Sequence, residues 1–283
     1  MQQVFLIADG VSKVGKIIVQ RLSGLGHRVY YGSDAHAIIN AGGGMASTSL
    51  HLDLGEENSI SAGVTRLLKA EGRIDVLVNN VNSPVYGALE VVETNFVERH
   101  LNECLVGMVR LQNEILPVMR AQRQGRIVTV VHDCTDLGRS LCGWQQVVSN
   151  AQLTLAATLV EEVKGTNITV DVVNSCLNHK HSRRPYDLAD ADLHNATVPT
   201  LWRQFTETVQ MSFQAVPDAG DTACQIVDAL VGAQTPSSGQ AGQADGAYCV
   251  IGEKTPKKPG TAVDLYSKLL GHVMGKSNGG YSE

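Results

Sequence analysis

Val4-Phe5-Leu6-Ile7-Ala8-Asp9-Gly10-Val11-Ser12-Lys13-Val14-Gly15-Lys16-Ile17-Ile18-Val19-Gln20-Arg21-Leu22-Ser23-Gly24-Leu25-Gly26-His27-Arg28-Val29-Tyr30-Tyr31 reads as a strand, a tight turn, a helix and a second strand. The run from Val4 to Ala8 is short and wholly apolar, the signature of a strand buried on both faces of a parallel sheet. Asp9, Gly10 and Ser12 interrupt it. From Val14 to Leu25 the apolar Ile18, Leu22 and Leu25 recur at the spacing of one helix face, and Arg28 to Tyr31 begins the next short apolar run.

Working outward, the same alternation continues to the end of the chain. Ile74 to Asn79, Arg126 to Val131, Thr169 to Val173 and Ala247 to Ile251 read as further buried strands, and Glu93 to Gln122 and Trp144 to Lys164 are long enough for crossover helices. Strands alternating with helices predict an α/β domain with a doubly wound parallel sheet of about seven strands, Val4 to Ala8 central and Ala247 to Ile251 at an edge. Residues 1–252 form this single domain, with 175–214 as an inserted lid carrying His179, His181, Arg183, Arg184 and Trp202. Thr235 to Asp245 reads as a surface loop rich in Gly, Ser and Gln. Residues 253–283 form a Pro/Lys linker, a short amphipathic helix over Val263 to Met274 and a frayed tail.

Composition narrows the function. With 283 residues, 43% hydrophobic and 18% charged, the chain can bury a large core. Its 23 Lys and Arg against 28 Asp and Glu leave a formal charge of -5, and no basic cluster exceeds Arg183-Arg184 or Lys257-Lys258. A nucleic-acid partner is therefore not expected. No apolar run approaches the roughly 20 residues of a membrane span, and the N-terminus lacks the basic start of a signal peptide, so a cytoplasmic protein is expected. Six scattered cysteines without a C-x-x-C pair fit a reducing compartment, where Asn167-Ile-Thr and Asn195-Ala-Thr would be chance sequons.

These blocks together resemble the short-chain dehydrogenase/reductase superfamily over residues 1–252. Ala8 to Gly15 followed by Gly26-His-Arg-Val29 is similar to the family's T-G-x-x-x-G-x-G helix and G-x-x-V strand. Leu52-Asp53-Leu54 is similar to its adenine-contacting pair, and Ile74 to Asn80 to its strand ending in N-N-A-G. Leu116-Pro117-Val-Met119 and then Gly125-Arg-Ile-Val128 match the helix end and the strand that delivers a catalytic serine. The resemblance implies a nicotinamide-cofactor pocket served by Gly10, Ser12, Lys13, Gly15, Asp53, Leu54 and Asn79. It also implies a dimer or tetramer built through the two long helices.

At nearly every chemistry-bearing position the chain departs from the family. Aligned without gaps, the turn keeps Gly15 and puts Asp9 and Lys13 at the other glycine positions, whereas a one-residue deletion keeps Gly10 and Gly15. Either way one glycine is missing where the backbone must approach a pyrophosphate. Asp9 repels phosphate and Lys13 attracts it, and NAD or NADP binding is expected to be weakened or lost. Ser33-Asp34 indicates neither cofactor over the other. Counting along the family pattern, the active-site asparagine is Cys104, the serine His132 or a neighbour within Val131 to Asp133, the tyrosine Gln145 and the lysine Ser149. Asn79-Asn80-Val81-Asn82 replaces N-N-A-G, and Ser175-Cys176 stands at the family's P-G.

Gln145 supplies no proton near neutral pH and Ser149 carries no charge, so the family's carbonyl reduction loses its acid. His132-Asp133 is the ionisable pair left in the site, an imidazole able to act as acid or base, or else a strand-end histidine hydrogen-bonded into the vacated space. Tyr186, Tyr86 and Lys180 are possible substitute donors from loops, or surface packing. Cys176-x-x-His179-x-His181 matches no standard zinc spacing, and no metal is expected. Cys104 and Cys176 read as small buried residues, and Trp144 and Trp202 as packing. Asp53 and Asn79 have structural readings too, as a cap on the next helix and a bridge between strand backbones. Two functions stay open: an enzyme doing non-standard chemistry on a small molecule (cyclisation, isomerisation, elimination or an atypical reduction), or an inactive sensor or partner subunit of an active relative.

Overall fold

The computed structural model describes residues 2–33, 47–81, 85, 87–90, 92–132, 142–175, 223, 226–228, 230 and 250–251. Asp133 and Tyr186, most of the expected lid, the domain boundary at 252 and the C-terminal segment lie outside the described residues.

Among the described residues seven strands form one sheet: β1 (Val4–Ile7), β2 (Arg28–Ser33), β3 (Ser47–His51), β4 (Val76–Asn79), β5 (Gly125–His132), β6 (Ile168–Ser175) and β7 (Val250–Ile251). Their order is β3-β2-β1-β4-β5-β6-β7, and every pairing is parallel. Parallel neighbours need crossovers. Among the described residues helices α1 (Lys13–Gly24), α2 (Glu57–Glu71), α3 (Thr94–Leu101), α4 (Gly107–Gln122) and α5 (Gly143–Glu162) lie in the connections β1–β2, β3–β4, β4–β5 and β5–β6.

Each central strand is apolar on both faces because helices cover both. Leu77, Val81, Ile127 and Val131 join the core under α2, α4 and α5 with Val64, Leu111, Ile115 and Ala156. Val76, Val78, Val128 and Val130 face the other layer, where Ile18, Val19 and Leu22 of α1 pack with Ala223, Ile226, Val227 and Leu230. Register follows from the period of two.

Three expectations change in detail, and one strand, β3, is added to those expected. Leu25 is not on the buried face of the first helix but 56% exposed, because α1 ends at Gly24 and Leu25 caps it. The long helix expected over Glu93 to Gln122 is broken by a π segment at Asn102–Val106, which carries Cys104. β3 was no apolar run in the sequence, since Ser47, Thr48 and Ser49 sit only half-buried at the sheet edge. Asp53 does not cap α2, whose N-cap is Glu56; its Oδ1 accepts instead from Gly55 N–H at 2.8 Å.

Candidate functional site

In an open α/β sheet, ligands bind beyond the carboxyl ends of the strands, where the strand order reverses. Here the order reverses between β1 and β4. The turn after β1 and the Asn79-Asn80 pair closing β4 meet at that point. Farther along the same edge, His132 ends β5 in register with Ser175 at the end of β6.

The turn after β1 folds around its own polar groups. Asp9 Oδ1 accepts from the backbone N–H of Val11 at 3.0 Å and of Ser12 at 3.1 Å. Ser12 caps α1, its Oγ accepting from Gly15 N–H at 3.1 Å. Across the crevice, Asn80 Nδ2 donates to that same Oγ at 3.1 Å and to the Asp9 carbonyl at 3.3 Å. Gly10 N–H is spent on the Gly32 carbonyl at 3.1 Å. Lys13, the first residue of α1, is exposed.

The two glycines are required by close packing. A Cβ at Gly10 would run into the Tyr31 side chain of β2, and one at Gly15 into the Asp9 carbonyl oxygen. Both positions from the gapped reading are therefore tight approaches of turn to strand and of helix to turn, and Asp9 and Lys13 occupy the glycine positions of the ungapped reading. A pyrophosphate cradle presents free backbone N–H groups to the anion. In this turn the Val11 and Ser12 donors already hold a carboxylate, so the residues present do not fit a pyrophosphate there.

Asp53 and Leu54 lie on the adjoining loop. Leu54 is buried, and its carbonyl packs so closely on Gly107 that a Cβ there would strike it. Asn102 Nδ2 donates to the Gly55 carbonyl at 3.1 Å and so ties this loop to the π segment.

Gln145 and Ser149, counted in the sequence to the family's tyrosine and lysine, sit one turn apart on α5 and are 2% and 0% exposed. Gln145 Nε2 donates to Ser149 Oγ at 3.3 Å. One turn further, Gln152 Nε2 donates to the carbonyls of Cys104 at 2.9 Å and Val81 at 3.3 Å. It thereby joins α5 to the π segment and to the residue following Asn80. Cys104 Sγ lies 3.5 Å from His100 Nδ1, both buried. Burial pushes the His100 imidazole down to about 4, which keeps it neutral beside the thiol at ordinary pH.

Asn79 does not bridge strand backbones, as its sequence reading allowed. Its buried amide N and O have no hydrogen-bond partner among the described residues, and neither has Thr129 Oγ1, which lies in register with it on β5. Asn80 does the bridging. The structure thus brings together Gly10, Ser12, Gly15 and the Asn79-Asn80 pair. It places Gln145 with Ser149 on α5, while His132 closes β5. No group of three His, Cys, Asp or Glu able to hold a metal occurs among the described residues.

Asn80, Gln152 and His100 were not singled out from the sequence. A signal existed for Gln152: with Gln145 and Ser149 it occupies i, i+4 and i+7, a polar stripe on one face of a crossover helix. Asn80 stood inside the quoted N-N motif. His100 had no sequence signal.

A family model for short chain dehydrogenases matches residues 3–178. More than half of the chain is covered, and the protein belongs to the short-chain dehydrogenase family. Among curated proteins it is similar to a 3-ketodihydrosphingosine reductase of Bacteroides thetaiotaomicron, 33% identical over 128 residues, 45% of this chain and 46% of that protein. It is thus matched over less than half the length of that relative. In fold it resembles a short-chain dehydrogenase from Streptomyces avermitilis, with a TM-score of 0.70 and 20% identity over 98% of this chain and 94% of the other. A metagenomic short-chain oxidoreductase in complex with NADP follows, with a TM-score of 0.65 and 20% identity over 88% and 96% of the two chains. No described helix is long and apolar enough to cross a membrane.

Proposed function

We propose that this short-chain dehydrogenase family member binds a small molecule in the former dehydrogenase pocket and acts on it without the family's tyrosine–lysine proton relay. The buried Gln145–Ser149 pair carries this reading: the two side chains standing at the relay positions hydrogen-bond to each other and neither ionises usefully near neutral pH. A carbonyl reduced here would give an alkoxide with no proton donor at the usual place. The chemistry left is of another kind, such as cyclisation, isomerisation, elimination or an atypical reduction. His132 is the proposed acid or base, because it ends a central strand at the carboxyl edge where ligands of this fold lie. The same reading expects NAD or NADP to bind weakly or not at all, no metal to take part, and Asp133 and Tyr186 to assist from beside the site.

A second reading, an inactive sensor or partner subunit of an active relative, is favoured by the turn after β1, whose donors are taken by Asp9. One experiment separates the two. Turnover of a candidate substrate is compared for wild type, His132→Ala and Gln145→Ala. On the enzyme reading His132→Ala loses at least about tenfold, some 1.4 kcal/mol of barrier, while Gln145→Ala changes mainly binding. Turnover insensitive to His132→Ala contradicts that role, and co-purification of an active relative with no turnover of its own supports the partner-subunit reading.

A further inference from the structure

We propose that Asp9 is the resident anion of the turn after β1: its carboxylate occupies the Val11 and Ser12 donors and makes the pocket select against ligands that carry a pyrophosphate. The inference rests on family membership for the location of the phosphate turn. Beyond the expected weak binding, it assigns the cause to one side chain.

Three observations meet at this residue. First, both N–H groups point at one carboxylate oxygen, Oδ1, at 3.0 and 3.1 Å, ordinary hydrogen-bond lengths. Successive N–H groups converging on one point form the concave donor site that binds anions; a covalently attached carboxylate fills it at an effective concentration no free ligand reaches. Second, two neighbouring donors are also committed, Gly10 N–H to the Gly32 carbonyl and Gly15 N–H to Ser12 Oγ. The anion therefore has no alternative seat at those positions. Third, the turn is pinned: buried Asn80 grips the Asp9 carbonyl and Ser12 Oγ together, and the turn packs on Tyr31 through Gly10. A pinned backbone holds the carboxylate where it is. A pyrophosphate arriving at this turn would meet the Asp9 carboxylate beside the exposed Lys13 and find the Val11 and Ser12 donors engaged.

Charge and occupancy separate by substitution. Asp9→Asn keeps an acceptor oxygen on the donors and removes the charge, while Asp9→Gly removes both. The probes are ADP, which carries the pyrophosphate, and adenosine, which lacks it, titrated calorimetrically into wild type and the two variants. Circular dichroism verifies each fold. Wild type is expected to bind ADP no more tightly than adenosine. ADP affinity should rise modestly in Asp9→Asn and by at least about tenfold in Asp9→Gly, the scale of a regained charge-assisted contact, while adenosine affinity stays within about threefold. Should Asp9→Gly fail to fold, a rise in ADP affinity in Asp9→Asn is still required. Unchanged or undetectable ADP binding in every folded variant overturns the proposal, as does submicromolar ADP binding by wild type. The readout is nucleotide affinity and not turnover, so it is separate from the test of His132.

Discussion

His100, at the end of α3 and 3% exposed, lowers the acid tolerance of the fold. Burial holds its folded pKa at about 4, whereas in the unfolded chain an imidazole titrates near 6.5. Between those values the unfolded state takes up a proton that the folded state refuses. Stability is therefore complete above pH ~6.5 and falls as the pH drops toward ~4. At pH ~5 the loss from this one group is on the order of 2 kcal/mol. His27, also lowered by burial and by the N-terminal charge, adds in the same direction. Urea unfolding at pH ~7 and ~5 should show wild type losing roughly 2 kcal/mol more than His100→Gln. Equal losses would mean that His100 is charged in the fold. At this scale the sequence was legible in part. Along the family pattern Cys104 could be placed by counting back from Leu116-Pro117, and Gln145 and Ser149 by counting on from His132. What occupies a donor could not be counted: that Asp9 turns its carboxylate back onto Val11 and Ser12, or that Asn80 and not Asn79 makes the bridge, depends on side-chain direction.

Among the elements, α5 has two unlike sides. Inward it carries the polar stripe Gln145, Ser149 and Gln152, bonded within the core. Outward it leaves Val147 and Leu155 at 49% and 37% exposure, and Val106 of the π segment stands 42% exposed. Apolar side chains on the outer face of a long helix suit association with a second copy of the chain. Light scattering should find a dimer or tetramer, and the double variant Val147→Glu, Leu155→Glu should shift it to monomer. A clean monomer for wild type would contradict this. α5 and most strands were evident from apolar runs and helix-length stretches. β3 was not, since its Ser-Thr-Ser start at the sheet edge leaves no apolar run, and the π segment was not, since Asn102–Val106 differs from helix by one hydrogen-bond register.

At the scale of the whole molecule, a parallel sheet with one reversal of strand order gathers the turn after β1, the end of β4 and His132 along a single edge. The architecture could be read from the alternation of apolar runs with helices, because each buried parallel strand must be apolar on both faces. That architecture determines where a site lies and leaves its chemistry to the side chains set there. Among those side chains an acid, Asp9, stands on the turn, and an amide and a hydroxyl, Gln145 and Ser149, stand buried on α5. On the proposed function this site does not support proton-coupled carbonyl reduction. The most direct test is the rate of NADH or NADPH oxidation by the purified protein against a panel of small ketones, beside an active short-chain dehydrogenase under the same conditions. The expected turnover is at least ~10²-fold below that enzyme, the usual loss when a positioned general acid is absent. Turnover within about tenfold of it on any of the ketones would contradict the proposed function.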